Sequence, residues 1–278
     1  MAWMLAAGLQ FALLNSVARL MAHELGPTEA QFFRYFMGLV VMLPFMLRSG
    51  LAAWRPHNIR GQFWRGAVHT TGLTMWFMAL PHVPLADMTA IGFTTPLFIM
   101  AGAMLFLREP FVRARWIAAG IGLLGVLVVM APKLSGTGDP VWMLVMLAST
   151  PVFAASFLIT KALTRRDRPE VIVAWQGITI SLLSLPLAIP GWVWPSPGIL
   201  AWSVLAGMLG SSGHYCMTEA LRIADTSATQ PIRFIDLLWA AATGYLFFAE
   251  IPTVWTFAGA AIIFASTTWI ARREARRR

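Results

Sequence analysis

ALPHVPLADMTAIGFTTPLFIMAGAMLFLRE, residues 79–109, and ALRIADTSATQPIRFIDLLWAAATGYLFFAE, residues 220–250, together decide the fold. Laid over one another at an offset of 141 positions, their identities include Ala79 with Ala220, Leu80 with Leu221, Phe93 with Phe234, Ala101 with Ala242, Leu105 with Leu246, Phe106 with Phe247 and Glu109 with Glu250. Apolar matches follow partly from an oily composition, but a glutamate closing an apolar run is rare. Glu29 and Glu170 repeat that match at the same offset. Self-similarity at a fixed offset marks an internal repeat, which divides the chain into residues 1–131, residues 139–271 and a basic tail at 272–278.

Outward from these segments, the chain is apolar throughout. Of 278 residues, 58% are hydrophobic and 12% charged, and the mean hydropathy is +0.68, too oily for a soluble domain of this size. Crossing roughly 30 Å of hydrocarbon takes about 20 helical residues. Windows of that width place spans near Trp3–Met21, Thr28–Leu47, Gln62–Leu80, Ala86–Leu107, Trp116–Met130, Val141–Leu163, Val171–Ile189, Ile199–Leu221, Ser227–Phe248 and Val254–Ile270. Turn formers separate several of them: Gly26-Pro27, Pro81 with Pro84, Gly136-Thr137-Gly138 and Pro195-Ser196-Pro197. The expected fold is an all-α membrane protein of ten transmembrane helices. Each repeat holds five spans, an odd number, so the second enters the bilayer upside down. Such inverted-topology repeats suit secondary transport, because two halves that exchange conformations open a midplane site to either side in turn.

The charges fit that reading. A net charge of +9 and a pI near 11.1 suggest nucleic acid only until the cations are located. They cluster between apolar runs rather than on one soluble face, so nucleic acid is not expected as a partner. With the N-terminus in the cytoplasm, the inner loops hold Arg48, Arg55, Arg60 and Arg65, then Arg108, Arg113 and Arg115, then Lys161, Arg165, Arg166 and Arg168, then Arg222. The tail adds Arg272, Arg273, Arg276, Arg277 and Arg278, while the outer loops hold only Lys133. The positive-inside bias puts both termini in the cytoplasm of a multi-pass inner-membrane protein. The first apolar run has no basic n-region before it and reads as a retained helix. Cys216 is the single cysteine, which excludes an intrachain disulfide.

At these positions the chain resembles the drug/metabolite transporter superfamily in its ten-helix, two-repeat EamA form. The resemblance is carried by Phe33-Arg34-Tyr35, by Pro84-Leu85-Ala86-Asp87 leading to Phe93-Thr94-Thr95-Pro96-Leu97-Phe98, and by Arg108-Glu109-Pro110. Gln230-Pro231-Ile232 and Phe247-Phe248-Ala249-Glu250 continue it in the second half. It implies amino acid export first, and import of S-adenosylmethionine or riboflavin as the alternative. Phe234-Ile235-Asp236-Leu237-Leu238-Trp239 looks closer to the latter clade.

Ionisable side chains in a span cost roughly 2.5–3.5 kcal/mol each at mid-depth, so the few present are the first candidates for function. They are Arg34, His69, His214, Glu219, Arg233 and Asp236. His69, Gly72 and Trp76 form one stripe of the third span; Ser211, Tyr215, Thr218 and Glu219 form another on the eighth. Each stripe is either a cavity wall or a polar helix–helix seam. At the 141 offset Trp175 answers Arg34, an aromatic face against a cation, which suits a zwitterionic or aromatic ligand; Trp175 is otherwise one of many interfacial tryptophans. Pro96 and Pro231 interrupt the fourth and ninth spans, with Thr94 and Thr95 beside the first, and broken helices in corresponding places point to a binding site. Arg233 and Asp236, three residues apart, share a helix face and pair as a static bridge or as an element that opens when substrate or a proton arrives. Small residues at Ala118, Gly122, Ala261 and Ala265 suit close packing.

Two other functional classes fit parts of the sequence. Gly210-Ser211-Ser212-Gly213 fits the G-x-S-G pattern of rhomboid-like intramembrane serine proteases, with His69 as base; yet Trp76 stands where that family's histidine helix carries a second glycine. A structural membrane protein would move no solute. Metal-ligand spacings, phosphate-cradling loops and nucleotide motifs are missing, so neither metal nor cofactor is expected. The partners are a small solute and the bilayer; the oligomeric state is not set by the sequence, and a monomer would suffice.

Overall fold

The computed structural model describes residues 1–79, 82–83, 85–133, 139–249 and 251–276. Leu80, Pro81, Pro84, Gly136-Thr137-Gly138, Glu250 and the last two tail arginines lie outside the described residues, as does the side chain of Lys133.

The described residues form helices and connecting turns: α1 (Ala2–Met21), α2 (Pro27–Ser49), α3 (Ile59–Ala79), α4 (Leu85–Gly92), α5 (Thr95–Leu107), α6 (Arg113–Met130), α7 (Pro140–Leu163), α8 (Pro169–Ala188), α9 (Pro197–Ile223), α10 (Thr226–Thr229), α11 (Asp236–Phe248) and α12 (Val254–Ala275). Their starts follow local chemistry. Proline stands in the first turn of α2, α7, α8 and α9, where its missing N–H costs nothing. The Asp139 and Ser196 side chains accept from Val141 N and Ile199 N at the starts of α7 and α9. Glu29 accepts from Gly26 N at 3.0 Å to cap α2, which ends at Gly50 in a left-handed turn (φ 78°).

Seven helical segments among the described residues are long and apolar enough to cross a membrane: Ala2–Met21, Pro27–Ser49, Met88–Leu107, Arg113–Met130, Pro140–Leu163, Pro169–Gly191 and Val254–Ala275. That is fewer than the ten expected, and the reason is physical. Helices α3 and α9 include strongly polar buried side chains, among them Gln62, Arg65, His69, His214 and Glu219, which dilute their apolar runs. The segment after α9 is divided into α10, a 3₁₀ stretch over Gln230–Ile235, and α11.

Packing recurs between the two halves. Helix α1 packs on α9 and α3 on α7; α2 lies on α8 and α6 on α12; α5 meets α7 as α11 meets α1. A Cβ on Gly207 would stand 2.4 Å from Gly38 N, so α2 and α9 touch backbone to backbone. At positions 141 further on or back, a Cβ on Gly66 would meet Thr179 Oγ1 at 2.3 Å. Helices α5 and α11 match in start, end and cap: Arg108 (φ 57°) and Ala249 (φ 54°) are the non-glycine residues with positive φ among the described residues, and the caps close on Ala103 O, which accepts from Glu109 N at 3.1 Å, and on Gly244 O. Gly125 and Gly259 bring α6 against α12, and a Cβ on Gly122 would enter the Phe234 ring at 2.4 Å, so the small residues of α6 serve packing as expected.

The connections gather into two groups. In one, His57 and Gln62 bond the Asp167 carboxylate and Arg168 bonds Ala53 O. In the same group, Glu109 accepts from Thr226 N at 2.6 Å, Ser227 N at 2.9 Å and Ser227 Oγ at 2.6 Å, Arg115 pairs with Asp225 and Glu274, and the Lys161 ammonium donates to Leu221 O and Ala224 O at the end of α9. In the other, Glu24 holds Ser196, Glu29 accepts from Val193 N, and Asp139 N donates to His82 O.

Candidate functional site

A cleft between the halves is lined by Arg34, Tyr35, Leu39 and Met42 of α2, by Val173, Gln176 and Gly177 of α8, and by Gly210, Ser211 and His214 of α9. In this conformation it has room for about one water-sized molecule. Behind it lies a buried polar cluster that joins α2, α3, α7, α8 and α9.

Arg65 is the anchor. It is 2% exposed, and its guanidinium donates to Thr160 Oγ1 at 2.5 Å, to Gln176 Oε1 at 2.7 Å and to Ile172 O at 3.4 Å. All three acceptors are neutral, so its charge is dispersed over dipoles rather than cancelled. The bond from Arg65 fixes the Gln176 amide with its oxygen toward α3, and the amide nitrogen then faces His214 Nε2 at 3.2 Å. His69 bridges Tyr35 Oη at 3.1 Å and Ser156 Oγ at 3.2 Å. The two imidazoles lie edge to face with centroids 5.9 Å apart, between Phe153 and Phe11. The Arg34 guanidinium sits 4.9 Å from the Tyr35 ring centroid. No carboxylate among the described residues pairs with it.

The structure therefore brings Arg34, His69, Ser211 and His214 of the expected site into one neighbourhood. Others lie elsewhere. Trp175 donates its indole N–H to Trp54 O at 2.9 Å and packs on Phe63. Trp76 joins the apolar cluster of Ala79, Val83, Met88 and Met146. Tyr215 meets Trp3 edge-on, and Glu219 pairs with Arg222 at 2.8 Å. Thr94 bonds Ile91 O at 2.7 Å across the break between α4 and α5, Thr95 opens α5 and Pro96 occupies its first turn. Pro231 lies in the 3₁₀ stretch. Arg233 and Asp236 stand 3.8 Å apart where that stretch becomes α11, and Gly8 of α1 packs so closely that a Cβ there would be 2.1 Å from Asp236 Oδ1.

Sequence reasoning counted Arg65 as a loop cation and did not single out Gln176, Ser156 or Thr160. One signal was available for Gln176, since it stands 141 positions after Tyr35, beside the pair Arg34 and Trp175. The protease arrangement does not form. Ser212 is exposed, bonded to Gln10 and to Met208 O, while both nitrogens of His69 are engaged by Tyr35 and Ser156.

The sequence profile of the EamA-like transporter family matches this chain twice, over residues 1–131 and 140–272. The chain belongs to that family. It is therefore a multi-pass membrane transporter rather than an enzyme, as the resemblance of its motifs implied. Among curated relatives, a riboflavin transporter of Rhizobium johnstonii is 35% identical, with 99% of this chain and 91% of the relative covered. An S-adenosylmethionine uptake transporter of Rickettsia prowazekii is 28% identical over 98% of this chain and 92% of its own length. A pseudopaline exporter of Pseudomonas aeruginosa is 26% identical over 96% and 94%. One crystal structure, 18% identical, superposes with a TM-score of 0.85 over 99% of this chain and 97% of its own and shares the fold.

Proposed function

We propose that this EamA-family protein is a secondary transporter that imports a riboflavin-like metabolite across a bacterial inner membrane by alternating access. The observation that carries the substrate is the 35% identity to a riboflavin transporter along essentially the whole chain. The expected order is thereby reversed: the relatives named for riboflavin and for S-adenosylmethionine uptake favour import over amino acid export.

The transport mode rests on ten crossings in two inverted five-helix repeats, residues 1–131 and 139–271, with the tail at 272–278 and both termini in the cytoplasm. Three observations support it. The C-terminal caps of α5 and α11 match at the 141 offset. The profile fits the chain twice. The connections fall into two groups, and the cation-rich ones, around Arg168, Arg115 and Lys161, share a group. Each long helix then runs from one group to the other, α3 and α9 included. In this scheme α3, α9 and the cleft between them form the solute path. The Arg233–Asp236 pair, packed on Gly8 beside the broken segment, is the candidate coupling element for substrate or proton.

The test is growth and uptake. In cells that can neither make nor take up riboflavin, expression should restore growth on micromolar riboflavin and accumulation of labelled vitamin. Absence of both, beside uptake of labelled S-adenosylmethionine or efflux of labelled amino acids, would transfer the assignment to those substrates.

A further inference from the structure

The hydrogen-bond directions around the cleft specify the chemistry of what it holds, given the transport reading above. Arg65 can only donate. Its bond to Gln176 Oε1 at 2.7 Å makes that atom the acceptor, so the other end of the amide is the NH₂ group. The NH₂ group faces His214 Nε2 at 3.2 Å and can only donate. His214 Nε2 must therefore accept, which leaves the imidazole proton on Nδ1.

Nδ1 of His214 is buried and has no hydrogen-bond partner among the described residues, although His214 lines the cleft and is only 6% exposed. The same is true of Arg34 Nε, on the facing wall from α2. Arg34 finds its place because residue 210 is glycine: a Cβ there would stand 3.2 Å from Nε. Both unsatisfied groups are thus N–H donors, and a buried donor without an acceptor is destabilising until a ligand supplies one. No carboxylate among the described residues answers either of them.

We infer that this wall binds a planar substrate edge carrying two adjacent hydrogen-bond acceptors, gripped by the Arg34 fork and the Nδ1–H of His214. A carboxylate has such an edge, and so does the nitrogen–carbonyl edge of a pyrimidinedione ring fused into a flavin. Gln176 is a positioning residue: held by Arg65 through its oxygen, it sets the His214 tautomer through its NH₂ group.

The test is equilibrium binding to the purified full-length protein with two probes, one for each source of the edge. Riboflavin supplies the ring edge; S-adenosylmethionine supplies the carboxylate, with its decarboxylated analogue as control. Arg34→Gln removes the fork and Arg34→Lys keeps the charge without it. Gln176→Glu still accepts from Arg65 but also accepts from His214 Nε2, which moves the proton and turns Nδ1 into an acceptor. Binding of whichever probe the wild type accepts should weaken about ten- to a hundredfold in all three variants, the effect of losing one charge-assisted hydrogen bond. Thermal midpoints should stay close to wild type for Arg34→Lys and Gln176→Glu, and nitrogen NMR of His214 should show Nδ1 protonated in the wild type and Nε2 in Gln176→Glu. Binding unchanged in Arg34→Gln and Gln176→Glu, equal binding of the decarboxylated analogue, or binding of neither probe by the wild type would overturn the assignment. Binding that follows the prediction in a protein that catalyses no flux would overturn the transport reading alone.

Discussion

The two segments that the family profile matches, residues 1–131 and 140–272, repeat one pattern of helix packing and differ in the side chains they bring to the cleft. Where helices are held together, the halves agree: Gly72 answers Gly213, and the cap at Arg108 answers the cap at Ala249. Where solute would sit, they diverge. At the same 141 offset Arg34 faces Trp175, Tyr35 faces Gln176, Arg65 faces Ala206 and His69 faces Gly210. On the proposed transport reading, the matching positions hold the scaffold and the unlike ones line the solute path. A scaffold that exchanges two arrangements needs equivalent seams on both sides of the axis, whereas a solute without that symmetry needs unlike walls.

The largest expected effect tests the divergent positions. Arg65→Ala would strip the donors from Thr160, Gln176 and Ile172 O, which are otherwise buried together. With hydrogen bonds to a charged group worth about 1.5–3 kcal/mol each, thermal unfolding in detergent should show a loss of about 3 kcal/mol or more, and flux should vanish. A variant with wild-type stability would mean that Arg65 is solvated rather than built in.

Next comes the seam. Gly207→Ala presses a methyl against the α2 backbone at 2.4 Å, while Gly66→Ala meets the Thr179 side chain. Overpacking costs about 1–3 kcal/mol, and a side chain yields where backbone cannot. Gly207→Ala should therefore lower the unfolding midpoint more than Gly66→Ala; the reverse order would break the claimed equivalence of the two crossings.

A smaller effect sharpens the shared part. Glu109→Gln keeps the shape but weakens three hydrogen bonds at the start of α10, at about 1–2 kcal/mol in stability. If the halves are built alike, Glu250→Gln costs a similar amount, and a neutral Glu250→Gln would confine the device to the first half. Smallest is Trp175→Phe, which gives up one bond to Trp54 O. It should cost about 1 kcal/mol and leave solute affinity unchanged, whereas Arg34→Gln changes affinity.

Much of the scaffold was legible because it follows rules local in sequence. Gly26-Pro27 and Pro195-Ser196-Pro197 separate helices as the turn formers predict, and the breaks near Pro96 and Pro231 lie where the helices are divided. The site was legible only in part. His69, His214 and Arg34 were found because a charged or imidazole group in a span is costly and so conspicuous. Gln176, Ser156 and Thr160 carry no such cost signal, and their role exists only once Arg65 reaches them from another helix. Trp175 was paired with Arg34 by position, but an indole N–H near a helix end takes a nearby carbonyl, and the 3₁₀ turn at Leu51–Trp54 supplies one. Charge counting put Arg65 in a loop because sequence windows cannot tell a boundary cation from a buried one.

Transport through the cleft between the two halves is read out by counterflow. Purified wild-type protein reconstituted into liposomes preloaded with unlabelled riboflavin should accumulate labelled riboflavin transiently, and Arg34→Gln, confirmed folded by its thermal midpoint, should lose most of that accumulation. Counterflow in the wild type that Arg34→Gln leaves intact would place the solute path elsewhere, and no counterflow of riboflavin, S-adenosylmethionine or amino acids by folded wild-type protein would contradict the account.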